Sequence, residues 1–392
     1  MRIVLLSLDP GVPLGGPEGS SVHLRAVADA LLRTGHAVHV ITATPGPATV
    51  PPSLLESGLG VTTVPERVGE DDLVRRLKLL EPDMVIERLA PNAPQGARAA
   101  ARLRVTHVYE VDATPDEQAA ERNGQGDAGP ARAAFRAGFA DSSAAVTRSD
   151  EVAAWVRTLA PADYRVDVVP SRAHRRFFAE PEARWAAHVR RTLGEPNGFG
   201  VGFVGTFQPW HDLETLVRAI GLLNQRVESR LVLIGDGPIR NRLLAEAHAC
   251  GARIVLVGAV PEEAVPAYLA ACDAVTIPYA TPSAHHSSLK LIEAMAAGRA
   301  VVASNSRVVA RLVRDDVSGL LVPCGDDAAM AAALERLALD PRLRERLGAE
   351  ARRLALDSGT WEDVVAGVVD FARRVRPARD RASAAAVPSL RA

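Results

Sequence analysis

Apolar positions along the chain follow two rhythms. Short, nearly continuous apolar runs at Arg2 to Leu6, Ala37 to Ile41, Met84 to Ile86, Val105 to Val111 and Ala144 to Thr147 read as buried strands. Between the first two, Val22, Ala26, Val27, Ala30 and Leu31 fall at i, i+4, i+5, i+8 and i+9, one face of a helix. Ser20 or Ser21 stands where that helix would be capped, and Gly35 where it would stop. A further helix is expected from Asp150. Strand, helix, strand with buried strands predicts a parallel sheet.

The second half repeats this grammar. Strands are expected at Val201 to Val204, Leu231 to Ile234, Ile254 to Val257, Ala274 to Ile277 and Ala300 to Ala303. The charged, proline-interrupted stretch from Pro170 to about Asn197 reads as the connection, and Val364, Val365, Val368 and Phe371 mark a last helix. The α/β fold class therefore resolves into two doubly wound parallel-sheet domains, 1–180 and 181–358. The helix within 359–376 is expected to cross back to the first domain, with a disordered tail over 377–392. In such folds ligands lie beyond the carboxyl ends of the strands, so chemistry is expected in a cleft between the domains.

Composition narrows the function. The 392 residues carry 46 Lys+Arg against 47 Asp+Glu, a net charge of −1, so no uniform field exists to condense on nucleic acid or an anionic bilayer. Cys250, Cys272 and Cys324 are odd in number and widely spaced, which fits neither a disulfide framework nor a zinc site and points to a reducing cytoplasm. The N-terminal apolar run is too brief for a signal peptide, and no stretch approaches the ~18 apolar residues of a membrane span. Peripheral membrane contact stays open. Only Lys78 and Lys290 are lysine, so each stands against a strong arginine bias.

Lys290 lies in the segment richest in chemistry, Tyr279 to Ala303. Ser287 or Ser288 is expected to cap a helix there that ends at Gly298. First-turn amides and the helix dipole attract an anion, and a lysine in that turn opposes the dipole unless an anion sits nearby. The alternatives are a solvated lysine, or an ion pair with Glu293 three residues on.

The run Ser288-Leu289-Lys290-Leu291-Ile292-Glu293-Ala294-Met295-Ala296-Ala297-Gly298-Arg299-Ala300-Val301-Val302-Ala303 resembles the donor-binding motif of the retaining GT-B glycosyltransferases of family 4. Val201-Gly202-Phe203-Val204-Gly205-Thr206-Phe207-Gln208-Pro209-Trp210-His211-Asp212 resembles that family's first donor-domain strand and loop, and Leu231 to Pro238 its next strand and turn. Val257-Gly258-Ala259-Val260-Pro261 and Gly15-Gly16 with Ser20-Ser21-Val22-His23 also fit, so the likeness runs in order over roughly residues 1 to 375. Departures are His285 where the family often has Glu, Thr206 and His211 where it has Arg and Lys, Asp112 where a strand-end His is common, and Ser171-Arg172 for Asn-Gly.

The resemblance implies a GT-B architecture and sugar transfer from a nucleoside-diphosphate-sugar co-substrate to a small molecule or glycoconjugate with retention, without metal or other cofactor. It implies donor contacts at Gly16, Gly205, Thr206, Val260, His285, Ser287, Ser288, Leu289 and Glu293, the last holding ribose hydroxyls. Lys290, Asp112 and a protonated His211 are the candidates for catalysis, with Trp210 stacking as the competing role of His211. His23, Glu87, Arg88 and Glu110 are candidates for acceptor binding, or else an ion-pair network bracing loops. Gly235-Asp236-Gly237 is too incomplete for NAD, and His285-His286 lacks companion ligands for a metal. The rival functions are a catalytically silent nucleotide-sugar-binding subunit and a nucleotide-sugar epimerase.

Overall fold

The computed structural model describes the chain except for residues 17, 44–49, 91–93, 113, 115–127, 194–197, 283–287, 376 and 378–392. The tail expected to be disordered lies, from 378 onward, outside the described residues. The chain divides into two compact units.

In the first unit, β1 (Arg2–Ser7), β2 (Ala37–Thr42), β3 (Gly60–Thr63), β4 (Met84–Arg88), β5 (Thr106–Val111), β6 (Ala144–Thr147) and β7 (Arg165–Val168) form one sheet in the order β3-β2-β1-β4-β5-β6-β7. Every pairing is parallel. Val4, Leu6, Ile41 and Val85 pack with Leu73 and Leu77, while Tyr109, Val111 and Ala145 pack with Phe139, Val152 and Val156. This unit comprises Met1–Pro170 and the chain from Trp361 onward. Helix Trp361–Arg373 buries Trp361, Val364, Val365, Val368 and Phe371 against helix Gly19–Arg33 and β5.

The second unit, Ser171–Thr360, holds β8 (Phe199–Val204), β9 (Ser229–Ile234), β10 (Ile254–Gly258), β11 (Ala274–Ile277), β12 (Ala300–Ser304) and β13 (Leu320–Val322). They form a parallel sheet in the order β10-β9-β8-β11-β12-β13. The expected connection after Pro170 is structured: a 3₁₀ turn at Arg175–Phe178 and a helix, Ala183–Leu193, whose Val189 packs on Val232, Ile234 and Tyr268.

Strand order reverses between β1 and β4 in the first unit and between β8 and β11 in the second. At such a reversal the loops leaving neighbouring strands diverge and open a crevice, the place where parallel sheets bind ligands. Among the described residues, no helix is long and apolar enough to cross a membrane.

Candidate active site

In the second unit the loop leaving β8 and the helix following β11 meet at the strand reversal. Gly205 opens that loop at φ +144°, a conformation that favours glycine, and a Cβ there would lie 3.6 Å from Lys290 Nζ, so the loop runs beside the amine. The chain then turns through the 3₁₀ segment Pro209–His211, which folds His211 back until Nδ1 is 2.7 Å from the Thr206 carbonyl oxygen. A carbonyl only accepts, so Nδ1 carries the proton and Nε2 is left as an acceptor. His211 meets Trp210 edge-on at 62°, not by the stacking expected.

Helix Leu289–Ala296 turns Leu289, Leu291, Ile292, Ala294 and Met295 into the core, which leaves Lys290 and Glu293 at its partly buried margin. Lys290 Nζ donates to His211 Nε2 at 2.6 Å. In this pairing His211 is the neutral partner; the expected protonated His211 would instead donate to a neutral Lys290 amine across the same contact. Phe203 and Tyr279 flank the amine, with ring centroids 5.1 and 5.6 Å from Nζ.

The electrostatics of this corner are unusual. Burial pulls Lys290 down to about 7, only partly opposed by the Glu293 charge. Burial, followed by the like charge of Glu262, pushes Glu293 up to about 8 against the pull of Arg176 and Lys290. Lys290 turns toward His211 and makes no ion pair with Glu293 among the described residues. The Glu293 carboxylate likewise has no hydrogen-bond partner among them.

Ser288 occupies the cap position without a capping side-chain bond. Its backbone is already helical, at φ −79° and ψ −6°, whereas a capping side chain needs an extended residue. Leu289 is buried and Val260 packs into the core beside Ile277 and Ile292. His285 and Ser287 lie outside the described residues.

The first unit gathers a second cluster. His23 Nε2 lies 2.8 Å from Glu110 Oε1, and Arg148 pairs with Glu110 while placing Nε 2.9 Å from Asp112 Oδ1. Arg88 takes the other Asp112 oxygen. The Trp361 ring meets His23 edge-on at 4.8 Å. Burial alone would raise both carboxylates, but His23 and Arg148 outweigh it at Glu110, held at about 2, and Arg88 and Arg148 hold Asp112 well below its ordinary range. His23, Glu110 and Asp112 could converge on a metal ion, yet two guanidinium groups already occupy these carboxylates. The cluster is an ion-pair network, the bracing alternative to acceptor binding for His23, Arg88 and Glu110.

Two more expectations are corrected. Glu87 is 0% exposed and paired with His107 at 2.8 Å, because strand alternation turns it to the sheet face opposite Glu110, so it cannot meet an acceptor. Gly16 donates its amide to Pro13 and gives its carbonyl to Arg25 at 2.8 Å, which spends its backbone on the loop rather than on a phosphate. Arg25, Arg148 and Trp361 went unread in the sequence. Arg148 was discoverable, since it follows β6, the strand beside the one carrying Glu110.

Residues 198–340 match the family model described as Glycosyl transferases group 1. The chain is 34% identical over 205 residues to D-inositol 3-phosphate glycosyltransferase of Salinispora arenicola, covering 49% of this chain and 45% of that protein. It is 30% identical to GDP-mannose-dependent alpha-(1-6)-phosphatidylinositol monomannoside mannosyltransferase of Mycobacterium tuberculosis, covering 50% and 53%. The chain thus spans about half the length of the curated relatives it matches. Among solved structures, Anabaena HepE in complex with UDP and glucose superposes with TM-score 0.76 at 19% identity, over 95% of this chain and 100% of that one. Sucrose-phosphate synthase from Thermosynechococcus elongatus gives 0.72 at 20%, over 95% and 98%. The fold is GT-B, two Rossmann-like parallel-sheet units, and the match to the group 1 glycosyl transferase model falls within the second unit.

Proposed function

We propose that this chain is a retaining glycosyltransferase that uses a nucleoside-diphosphate-sugar as donor and needs no metal. The observation that carries the reading is Lys290: a partly buried amine 2.6 Å from His211 Nε2 and, among the described residues, without a carboxylate partner, beside a Glu293 carboxyl that has no hydrogen-bond partner among them. A buried cation without a counter-ion is costly, and a diphosphate supplies one. The second unit then holds the donor. Lys290 faces the diphosphate, Glu293 accepts from the ribose hydroxyls, and Gly205, Thr206, Val260, Ser288 and Leu289 shape the rest.

In a retaining transfer the departing phosphate and the incoming nucleophile share one face of an oxocarbenium-like sugar, so the phosphate itself takes the proton. No side-chain base is then required, which suits a site whose polar groups are a lysine, a histidine held as an acceptor and a carboxyl raised by burial. The first unit is assigned the acceptor, with Asp112 the most exposed carboxylate of its network at 20%. Three free thiols fit a reducing cytoplasm.

The test is transfer from a panel of labelled nucleotide-sugars to small-molecule and glycolipid acceptors, with the anomeric configuration of donor and product read by NMR. Retained configuration supports the reading. Inversion refutes retention, and failure of every donor and acceptor refutes transfer.

A further inference from the structure

Lys290 and His211 form a hydrogen-bonded couple whose polarity is fixed from outside. The Thr206 carbonyl claims the proton on Nδ1, Nε2 accepts from Lys290, and no carboxylate lies within ion-pairing distance of Nζ among the described residues. Phe203 and Tyr279 flank two sides, and Gly205 puts no side chain beside the amine. Among the described residues the charged groups around the couple begin with Asp212, which follows His211 and whose carboxyl burial raises. Glu293 shares the helix, Glu262 and Arg176 approach Glu293, and Arg352 binds the Ala296 carbonyl at the far end of the helix.

We propose that a nucleotide-sugar binds with uptake of one proton at Lys290 Nζ, and that His211 is the positioning residue that keeps the amine aimed at the incoming diphosphate. This rests on the donor reading above and adds the change of charge that accompanies binding. The proton comes from solvent and adds to the amine lone pair. No bond between heavy atoms forms or breaks, and His211 Nε2 keeps its contact with the amine.

The pH dependence follows from burial, which draws Lys290 down to about 7. At pH 8.5 the amine is mostly neutral, and an adjacent diphosphate raises its affinity for a proton, so binding draws one in. At pH 6 the amine is already charged and uptake vanishes. Glu293, near 8, is mostly ionised at pH 8.5 and offsets little of the uptake.

Titration calorimetry of the full chain with UDP-glucose, and separately with GDP-mannose, tests this in two buffers of different ionisation enthalpy. Neither ligand titrates in this range. Uptake of roughly half to one proton per ligand at pH 8.5, falling toward zero at pH 6, is expected. Lys290→Arg, charged at every pH, should bind without proton uptake, and His211→Leu should displace the pH at which uptake is half complete. Binding at pH 8.5 with no proton exchange overturns the inference and leaves the donor reading standing. No binding of either ligand overturns both.

Discussion

Gly96 and Glu87 approach so closely that a Cβ on Gly96 would lie 2.3 Å from Glu87 Oε2. Glycine in a helix ordinarily costs ~1 kcal/mol relative to alanine, so propensity alone makes Gly96→Ala stabilising. Here the carboxylate is pinned by His107 and cannot withdraw without breaking that pair. Gly96→Ala is therefore expected to destabilise the first unit by about 1–3 kcal/mol, the usual cost of overpacking a core. Urea unfolding checks the sign.

Glu110→Gln removes the charge opposite His23 and Arg148. Breaking a buried pair this way is expected to cost about 3–5 kcal/mol at pH 7, because a guanidinium is left uncompensated. The pH dependence has a definite sign. Glu110 is depressed from its ordinary 4.5 to about 2, so its contribution is present above 4.5 and is lost as pH falls through that interval. The gap between wild type and Glu110→Gln should close as acid unfolding is followed downward.

Lys290→Met should stabilise the ligand-free protein. Between about 7 and Lys290's ordinary 10.5 the unfolded chain binds the proton more tightly, so the buried amine costs stability that returns as pH rises through this window. An apolar side chain removes that cost, and a gain of about 1–2 kcal/mol at pH 7 is expected together with loss of nucleotide binding. Thermal unfolding without ligand measures it.

The two lysines separate function from composition. Lys290→Ala is expected to lower turnover by about 10²-fold or more, the scale of losing one electrostatic partner of a leaving group. Lys78→Ala, on the exposed side of helix Glu70–Leu80, should leave it unchanged. Equal activities of both variants remove Lys290 from the mechanism.

Buried strands were legible and three edge strands were not. Runs such as Ala144–Thr147 and Ala274–Ile277 are covered on both faces and so read as unbroken apolar stretches. The strands missed in the sequence, Gly60–Thr63, Arg165–Val168 and Leu320–Val322, all lie at sheet edges and are short. Two of them are only partly buried, which breaks the apolar signal. At the site, local spacing placed Lys290 and Glu293 on one helix margin. It could not show that Lys290 would choose His211, 79 residues away, over Glu293, because that choice depends on how the β8 loop folds back. The same holds for Arg148, which meets Glu110 only through the pairing of β5 with β6.

The central claim is that the Lys290–Glu293 corner receives the diphosphate and ribose of a nucleotide-sugar. A thermal-shift series of the full chain with UDP-, GDP-, ADP- and TDP-sugars tests it most directly, because a ligand at 100 times its Kd stabilises the folded state by about 2.7 kcal/mol. The expected result is a rise in melting temperature with one nucleotide class, abolished in Glu293→Ala and Lys290→Ala. An unchanged melting temperature with every donor, or an equal rise in both variants, would contradict it.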